Sequence, residues 1–209
     1  MLPPLAVIFF GALLGLFSIR LTVSQSAIGA AQTPAAPPTG GTFSSLSPVF
    51  TPEVRYWSGE ILSWAAEAAL DPNLAATVMQ IESCGNPVAR SGAGALGLFQ
   101  VMPYHFYASD DAYDPATNAR RGLAYLKRAL AAANGDLRLV FAGYNGGISM
   151  ITAGEDAWAA ETRRYAYWGS GIYADASSGA SRSGRLDEWL AAGGAGLCRR
   201  ASQQLGLAQ

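Results

Sequence analysis

The sequence predicts an all-α fold, and three observations predict it. From Pro52 onward the apolar residues recur at helix spacing, aspartates stand directly ahead of three of those runs, and no run alternates convincingly at period two. The first helix is expected over Pro52 to Leu70, with Ile61, Leu62, Trp64, Ala65 and Ala68 at helical intervals. Asp71-Pro72 then supplies a cap and a proline at the first position of the next helix. In that helix Leu74, Val78 and Ile81 form the apolar stripe and Glu82 lies at its edge. Asp114-Pro115 repeats the device ahead of Leu123, Leu126 and Leu130, and Asn134-Gly135 closes that helix. Asp136 caps the next, through Leu137, Val140, Phe141 and Tyr144, which Gly146-Gly147 stops. A helix from Asp156 to about Trp168 and a last one from Leu186 to Leu205 complete the set.

Around this helical part the composition changes. Residues 1–26 hold an uncharged apolar run, Val7 to Phe17, that reads as a signal peptide or membrane anchor, so the chain is expected to be exported to the cell envelope. Residues 27–50 are rich in Ala, Pro, Thr, Ser and Gly and read as a flexible linker. The helical domain is expected over 51–175, and 176–209 as a linker with a C-terminal helix. Only 14% of residues are charged and the net charge is −1, so no basic surface argues for nucleic acid and no acidic excess argues for disorder. Nothing suggests an assembly, and a monomer is expected.

Glu82 is the residue with the most chemical content. It ends an apolar helix, and Ser83, Cys84, Gly85, Asn86 and Pro87 break the chain immediately after it. Gly92, Gly94 and Gly97 then let the backbone fold back before the apolar run Leu98, Phe99, Val101, Met102, in which Gln100 is the polar exception. A carboxyl half-buried beside such a bend can stay protonated near neutral pH and serve as a general acid. A lone glutamate at a helix end is more commonly a surface or capping group, and Gln100 alone would more commonly satisfy buried backbone.

Three ordered blocks carry a resemblance. Glu82-Ser83, Asn86-Pro87, Ser91, Gly94-Ala95, Gly97-Leu98, Gln100 and Met102-Pro103 resemble the signature of the bacterial soluble lytic transglycosylases, whose helical domain is lysozyme-like. Ala142-Gly143-Tyr144-Asn145-Gly146-Gly147 is similar to the family's Ala-Tyr-Asn block, and Glu161-Thr162 with Tyr165 to its Glu-Thr-x-x-Tyr block. The resemblance implies cleavage of the β-1,4 bond between N-acetylmuramic acid and N-acetylglucosamine in peptidoglycan, without water, leaving a 1,6-anhydromuramyl end. It implies Glu82 as the single acid and base, with the Tyr144 hydroxyl on its carboxyl. Asn145 would brace the helix end, and Ser91 with Gln100 would hold the saccharide. Ser83, Met102 and Tyr165 join them as substrate-binding positions, Tyr165 being an equally credible core aromatic. Gly143 departs from the family's usual Ala without removing a chemical group.

In an exported protein the two cysteines, Cys84 and Cys198, most simply form a disulfide. A Cys84 nucleophile would need the lone His105 to activate it, and nothing orients that pair. No cofactor and no metal site is indicated. Two other functions remain to be weighed. One is a muramidase like the goose-type lysozymes, with Asp110, Asp111 or Asp114 positioning water. The other is a non-catalytic glycan-binding component of an envelope apparatus.

Overall fold

The computed structural model describes residues 45–207; the apolar segment expected over 1–26 and most of the expected linker lie outside them. In chain order the helices are α1 (Pro52–Tyr56), α2 (Ser58–Ala68), α3 (Pro72–Glu82), α4 (Pro115–Ala132), α5 (Leu137–Gly146), α6 (Met150–Ala153), α7 (Ala160–Ser177), α8 (Gly184–Trp189) and α9 (Ala195–Leu205), with short 3₁₀ turns at Pro103–His105 and Glu155–Ala157. Among the described residues there is no β-strand, only the isolated bridges Arg90 to Leu96 and Leu96 to Val101, so the fold is all-α as expected. No helix among them is long and apolar enough to cross a membrane.

The aspartate caps act as the sequence suggests. Asp71 accepts from the Asn73 amide, Asp114 from Thr117 and Asp136 from Leu139, each satisfying one orphan donor at a helix start. α3 is more deeply placed than a single stripe implies, since Pro72 to Ile81 are all buried. Its polar residues have partners: Asn73 accepts from the Ser47 amide at 3.0 Å, Gln80 accepts from the Thr51 amide at 3.1 Å, and Thr77 donates to the Asn73 carbonyl at 2.7 Å. α7 packs across both α3 and α5, while α4 lies between α2 and α5.

Four expected boundaries differ. Residues Leu46, Val49 and Phe50 are buried in the core, so the folded body begins before Thr51; apolar side chains inside a Pro/Ser/Thr stretch find a surface there. The helix expected from Pro52 to Leu70 breaks at Trp57, whose indole donates to the Gly85 carbonyl at 2.8 Å and anchors the chain to the turn after α3. α7 runs on to Ser177, past Trp168. Gly169 lets it lie against Phe141 so closely that a Cβ there would sit 2.5 Å from the ring, and Tyr173 donates to Asp71 at 2.8 Å. The last helix is interrupted at Leu190–Gly194, where Gly193 adopts φ 125°, a conformation that needs glycine. Leu186, Trp189 and Ala201 join the same core, so residues beyond 175 pack on the domain.

Candidate active site

Glu82 is the last residue of α3, and the chain leaves it through two consecutive left-handed residues, Cys84 (φ 52°) and Gly85 (φ 82°). A Cβ on Gly85 would lie 2.7 Å from the Glu53 carbonyl oxygen, so only glycine permits this turn. The reversal aims Ser83 inward. Its Oγ donates to the Leu98 carbonyl at 2.7 Å and accepts from the Gly85 amide at 3.1 Å, and the residue is fully buried. Ser83, expected to touch substrate, instead fastens the turn to the glycine-rich loop. The next residue, Cys84, is joined to Cys198 of α9 by a disulfide, and Gln80 donates to Cys84 Sγ at 3.1 Å. Neither cysteine is a free nucleophile.

The loop that follows is held from beneath by Asn118, a buried residue of α4. Its Oδ1 accepts from the Phe99 amide at 2.8 Å, and its Nδ2 donates to the carbonyls of Leu96 and Ala112 at 2.8 and 2.9 Å. Gly97 (φ 73°) passes so near that a Cβ would meet Asn118 Nδ2 at 2.3 Å. Gln100 also takes a left-handed backbone (φ 46°), a strain uncommon outside glycine, and its side-chain amide donates to Gly97 and Ala89 carbonyls at 3.0 and 3.2 Å. Ser91 Oγ accepts from the Ala95 amide at 2.9 Å.

Two phenols face this loop, and they differ from expectation. The Tyr165 hydroxyl, from α7, donates to Glu82 Oε1 at 2.7 Å. The Tyr144 hydroxyl donates to the Phe99 carbonyl at 2.8 Å, so the expected contact of Tyr144 with Glu82 is corrected to Tyr165. The cause is packing: Gly122 of α4 lies against Phe99, where a Cβ would come within 2.4 Å, and the same gap admits the Tyr144 oxygen next to that carbonyl. The two rings are stacked at 6.5 Å between centroids and 14° between planes. Asn145 accepts from Thr162 Oγ1 at 2.8 Å and ties the end of α5 to the first turn of α7.

Burial pushes the Glu82 carboxyl up from 4.5 to about 8, outweighing the Tyr165 hydrogen bond, which lowers it, while the nearby Glu161 charge adds a smaller upward push. Both phenols are raised well above their ordinary range, by burial first and by the Glu82 charge second. At neutral pH Glu82 therefore carries a proton it can give, and the tyrosines are donors and not bases.

Glu82 opens into a cleft of about 660 Å³ lined also by Asn86, Arg90, Ser91, Gln100, Asn145, Glu161, Arg164, Tyr165, Trp168, Leu197 and Arg200. A second cavity of about 280 Å³ shares Gln100 and Asn145 with it and continues past Met102, Tyr104, His105, Tyr125 and Tyr144. Along that half the aromatic rings succeed one another: Tyr104 to His105 at 4.5 Å, His105 to Tyr125 at 4.9 Å and Tyr125 to Tyr144 at 5.6 Å. His105 is pushed down by burial and by Arg128, both of which favour its uncharged form. Sequence reasoning missed this row, the cleft-wall arginines and the place of Glu161. Only the aromatic density around Tyr104 to Tyr107 was available as a signal.

The groove thus brings together Glu82, Ser91, Gln100, Met102, Tyr144, Asn145 and Tyr165, and leaves out Ser83. The aspartates considered as a second acid are engaged elsewhere: Asp110 pairs with Arg121 at 2.7 Å, Asp111 accepts from the Tyr113 amide and Asp114 caps α4. Among the described residues the one group of metal-ligating type is Glu53 with Cys84 and Cys198, and its sulfurs are joined to each other.

Residues 60–165 match the model of the transglycosylase SLT domain. A transglycosylase of Enterobacteria phage PRD1 is 38% identical over 111 residues, 52% of this chain and 40% of the phage protein. The membrane-bound lytic murein transglycosylase E of Buchnera aphidicola subsp. Acyrthosiphon pisum (strain APS) is 29% identical over 86 residues, 35% of this chain and 39% of that protein. The solved lytic transglycosylase Slt of Pseudomonas aeruginosa aligns with TM-score 0.43 and 21% identity over 72% of this chain and 24% of its own. The chain therefore spans about two fifths of the curated relatives it matches. The family model covers half of the sequence, and the chain belongs to the transglycosylase SLT domain family.

Proposed function

We propose that the protein is a lytic murein transglycosylase that cleaves the MurNAc-β-1,4-GlcNAc bond of peptidoglycan and leaves a 1,6-anhydromuramyl end, with Glu82 as the single acid and base. The observation that carries this reading is one half-buried, proton-bearing carboxyl, held by a phenol, opening into a groove long enough to continue on both sides of Gln100 and Asn145. Glu82 gives its proton to the glycosidic oxygen as the bond from the anomeric carbon breaks, and the substrate's own N-acetyl oxygen bonds to that carbon as an oxazolinium. The Glu82 carboxylate then takes the proton of the C6 hydroxyl, whose oxygen attacks the anomeric carbon and opens the oxazolinium. Protons and bonds balance without water. Tyr165 steadies the carboxylate between the two steps, since its hydrogen bond favours the charged form. The aromatic row from Tyr104 to Tyr144 suits the apolar faces of sugar rings, while Gln100, Asn145 and Ser91 line the groove beside it.

The work would be done on glycan strands at the cell envelope by an exported monomer. The apolar start of the sequence and the membrane-bound relative support that location. Glu161 favours one rival, because it is a second carboxyl on the cleft wall and could position water for a muramidase. Turnover of purified sacculi by wild type and Glu82→Gln tests the assignment of the acid. Loss of soluble fragments in the variant is expected; release at the wild-type rate would reject Glu82 as the acid, and no release by either protein would leave a glycan-binding component.

A further inference from the structure

Three arginines stand in the Glu82 half of the groove, and they come from three distant parts of the chain: Arg90 from the turn after α3, Arg164 from α7 and Arg200 from α9. Among the described residues none of the three forms an ion pair, whereas Arg121, Arg138, Arg182 and Arg185 each pair with a carboxylate elsewhere. The acidic groups facing them across the cleft are Glu161 and Glu82, and the second holds its proton up to about pH 8. The cleft is therefore net cationic on a chain whose total charge is −1. The other half of the groove, past Gln100 and Asn145, is lined mainly by aromatic rings and glycines.

Arg200 and its neighbour Leu197 lie beyond residue 165, outside the stretch that matches the family model. The disulfide from Cys84 to Cys198 fixes α9 next to the turn that follows Glu82, and this brings the two side chains to the cleft wall. Guanidinium groups without a protein partner, grouped on the wall of a cleft, are suited to planar bidentate recognition of carboxylates.

We propose that Arg90, Arg164 and Arg200 form a subsite for carboxylates borne by the saccharide, so that the cleft selects anionic glycan over neutral glycan of the same backbone. This rests on the glycan reading above and deepens it. The carboxylates have two sources on peptidoglycan, the peptide stem and, on a muramyl sugar whose stem has been removed, the lactyl group whose carboxyl the stem's amide bond otherwise occupies, and the experiment separates them.

Binding is measured to the Glu82→Gln protein, so that the subsite is read without turnover. The ligands are soluble glycan chains bearing stem peptides, the same chains stripped of peptide by an amidase, and neutral N-acetylglucosamine oligomers. Arg164→Gln and Arg200→Gln are each expected to weaken anionic binding about three- to fivefold, to reduce its salt dependence, and to leave neutral oligomers unchanged. Arg199→Gln, an exposed neighbour on α9 that does not line the cleft, removes the same charge and is expected to change none of the three. Loss confined to stem-bearing chains assigns the subsite to the peptide, loss confined to stripped chains assigns it to the lactyl carboxylate that stem removal exposes, and equal loss on both shows that either carboxylate fills it. Equal weakening of neutral oligomers, or no change with any ligand, overturns the subsite. Failure of the parent protein to bind any of the three glycans would reject the glycan reading itself.

Discussion

The two halves of the groove are built around similar tyrosines put to different uses. On the α7 side Tyr165 donates to Glu82 and shares its cleft with arginines; on the α5 side Tyr144 donates to the Phe99 carbonyl and belongs to a row of aromatic rings. The rings stack on each other, yet one hydroxyl reaches the Glu82 carboxyl and the other a backbone carbonyl. Of two stacked phenols near one carboxyl, the one that meets it is thus identified by what its oxygen reaches, and that is decided by how closely the neighbouring helices approach.

The largest expected effect breaks the comparison at its centre. Glu82→Gln keeps the shape and removes the exchangeable proton, and muropeptide release should fall about 10²- to 10⁴-fold. Next, Tyr165→Phe should lower turnover about 10- to 100-fold, the range for a hydrogen bond to a charged group, while Tyr144→Phe should cost less than about tenfold in rate and about 1 kcal/mol in stability. Parallel measurement of kcat and thermal melting separates the two; equal kinetic losses would erase the distinction.

The pH dependence sharpens the same point. Activity should decline as pH rises through about 8, where Glu82 loses the proton it must give, and Tyr165→Phe should move that limb upward because the hydrogen bond it removes lowers the pKa. Stability has the matching sign. The folded carboxyl holds its proton more tightly than the unfolded one, so wild-type stability should fall between about pH 4.5 and pH 8 and level off above, and Glu82→Gln should flatten that slope in denaturant titrations.

A smaller structural effect tests the cationic wall. The disulfide closes a loop of sequence separation 114, and Cys84→Ser with Cys198→Ser should cost about 4 kcal/mol, or about 10 °C of Tm. The smallest concerns Gly143. A Cβ there would meet Ile151 Cδ1 at 2.7 Å and Cγ1 at 2.8 Å, so that side chain must shift, and the gain in helix propensity in Gly143→Ala and the cost of that shift nearly cancel. Melting within a few degrees of wild type is expected.

Much of this site was legible before any coordinates. The end of α3 could be read from an apolar helix stopped by Ser83-Cys84-Gly85, the helix starts from three aspartates, and the identity of Gln100 and Asn145 as groove residues from the family blocks. The choice between Tyr144 and Tyr165 could not be read, because both sit at suitable helix positions. It depends on Gly122 admitting the Tyr144 oxygen next to Phe99 and on Gly169 bringing α7 against Phe141. Ser83 was misplaced for a similar reason: helix spacing is silent on the left-handed turn that rotates it inward. The arginine cluster and the aromatic row join residues far apart in sequence, so no local pattern announces them.

Mass analysis of the fragments released from purified sacculi bears most directly on whether a lone carboxyl at position 82 serves both halves of the reaction. Wild-type protein should yield 1,6-anhydromuramyl ends, lighter than reducing ends by one water, and Glu82→Gln should yield none. Hydrated reducing ends as the wild-type product would contradict the account.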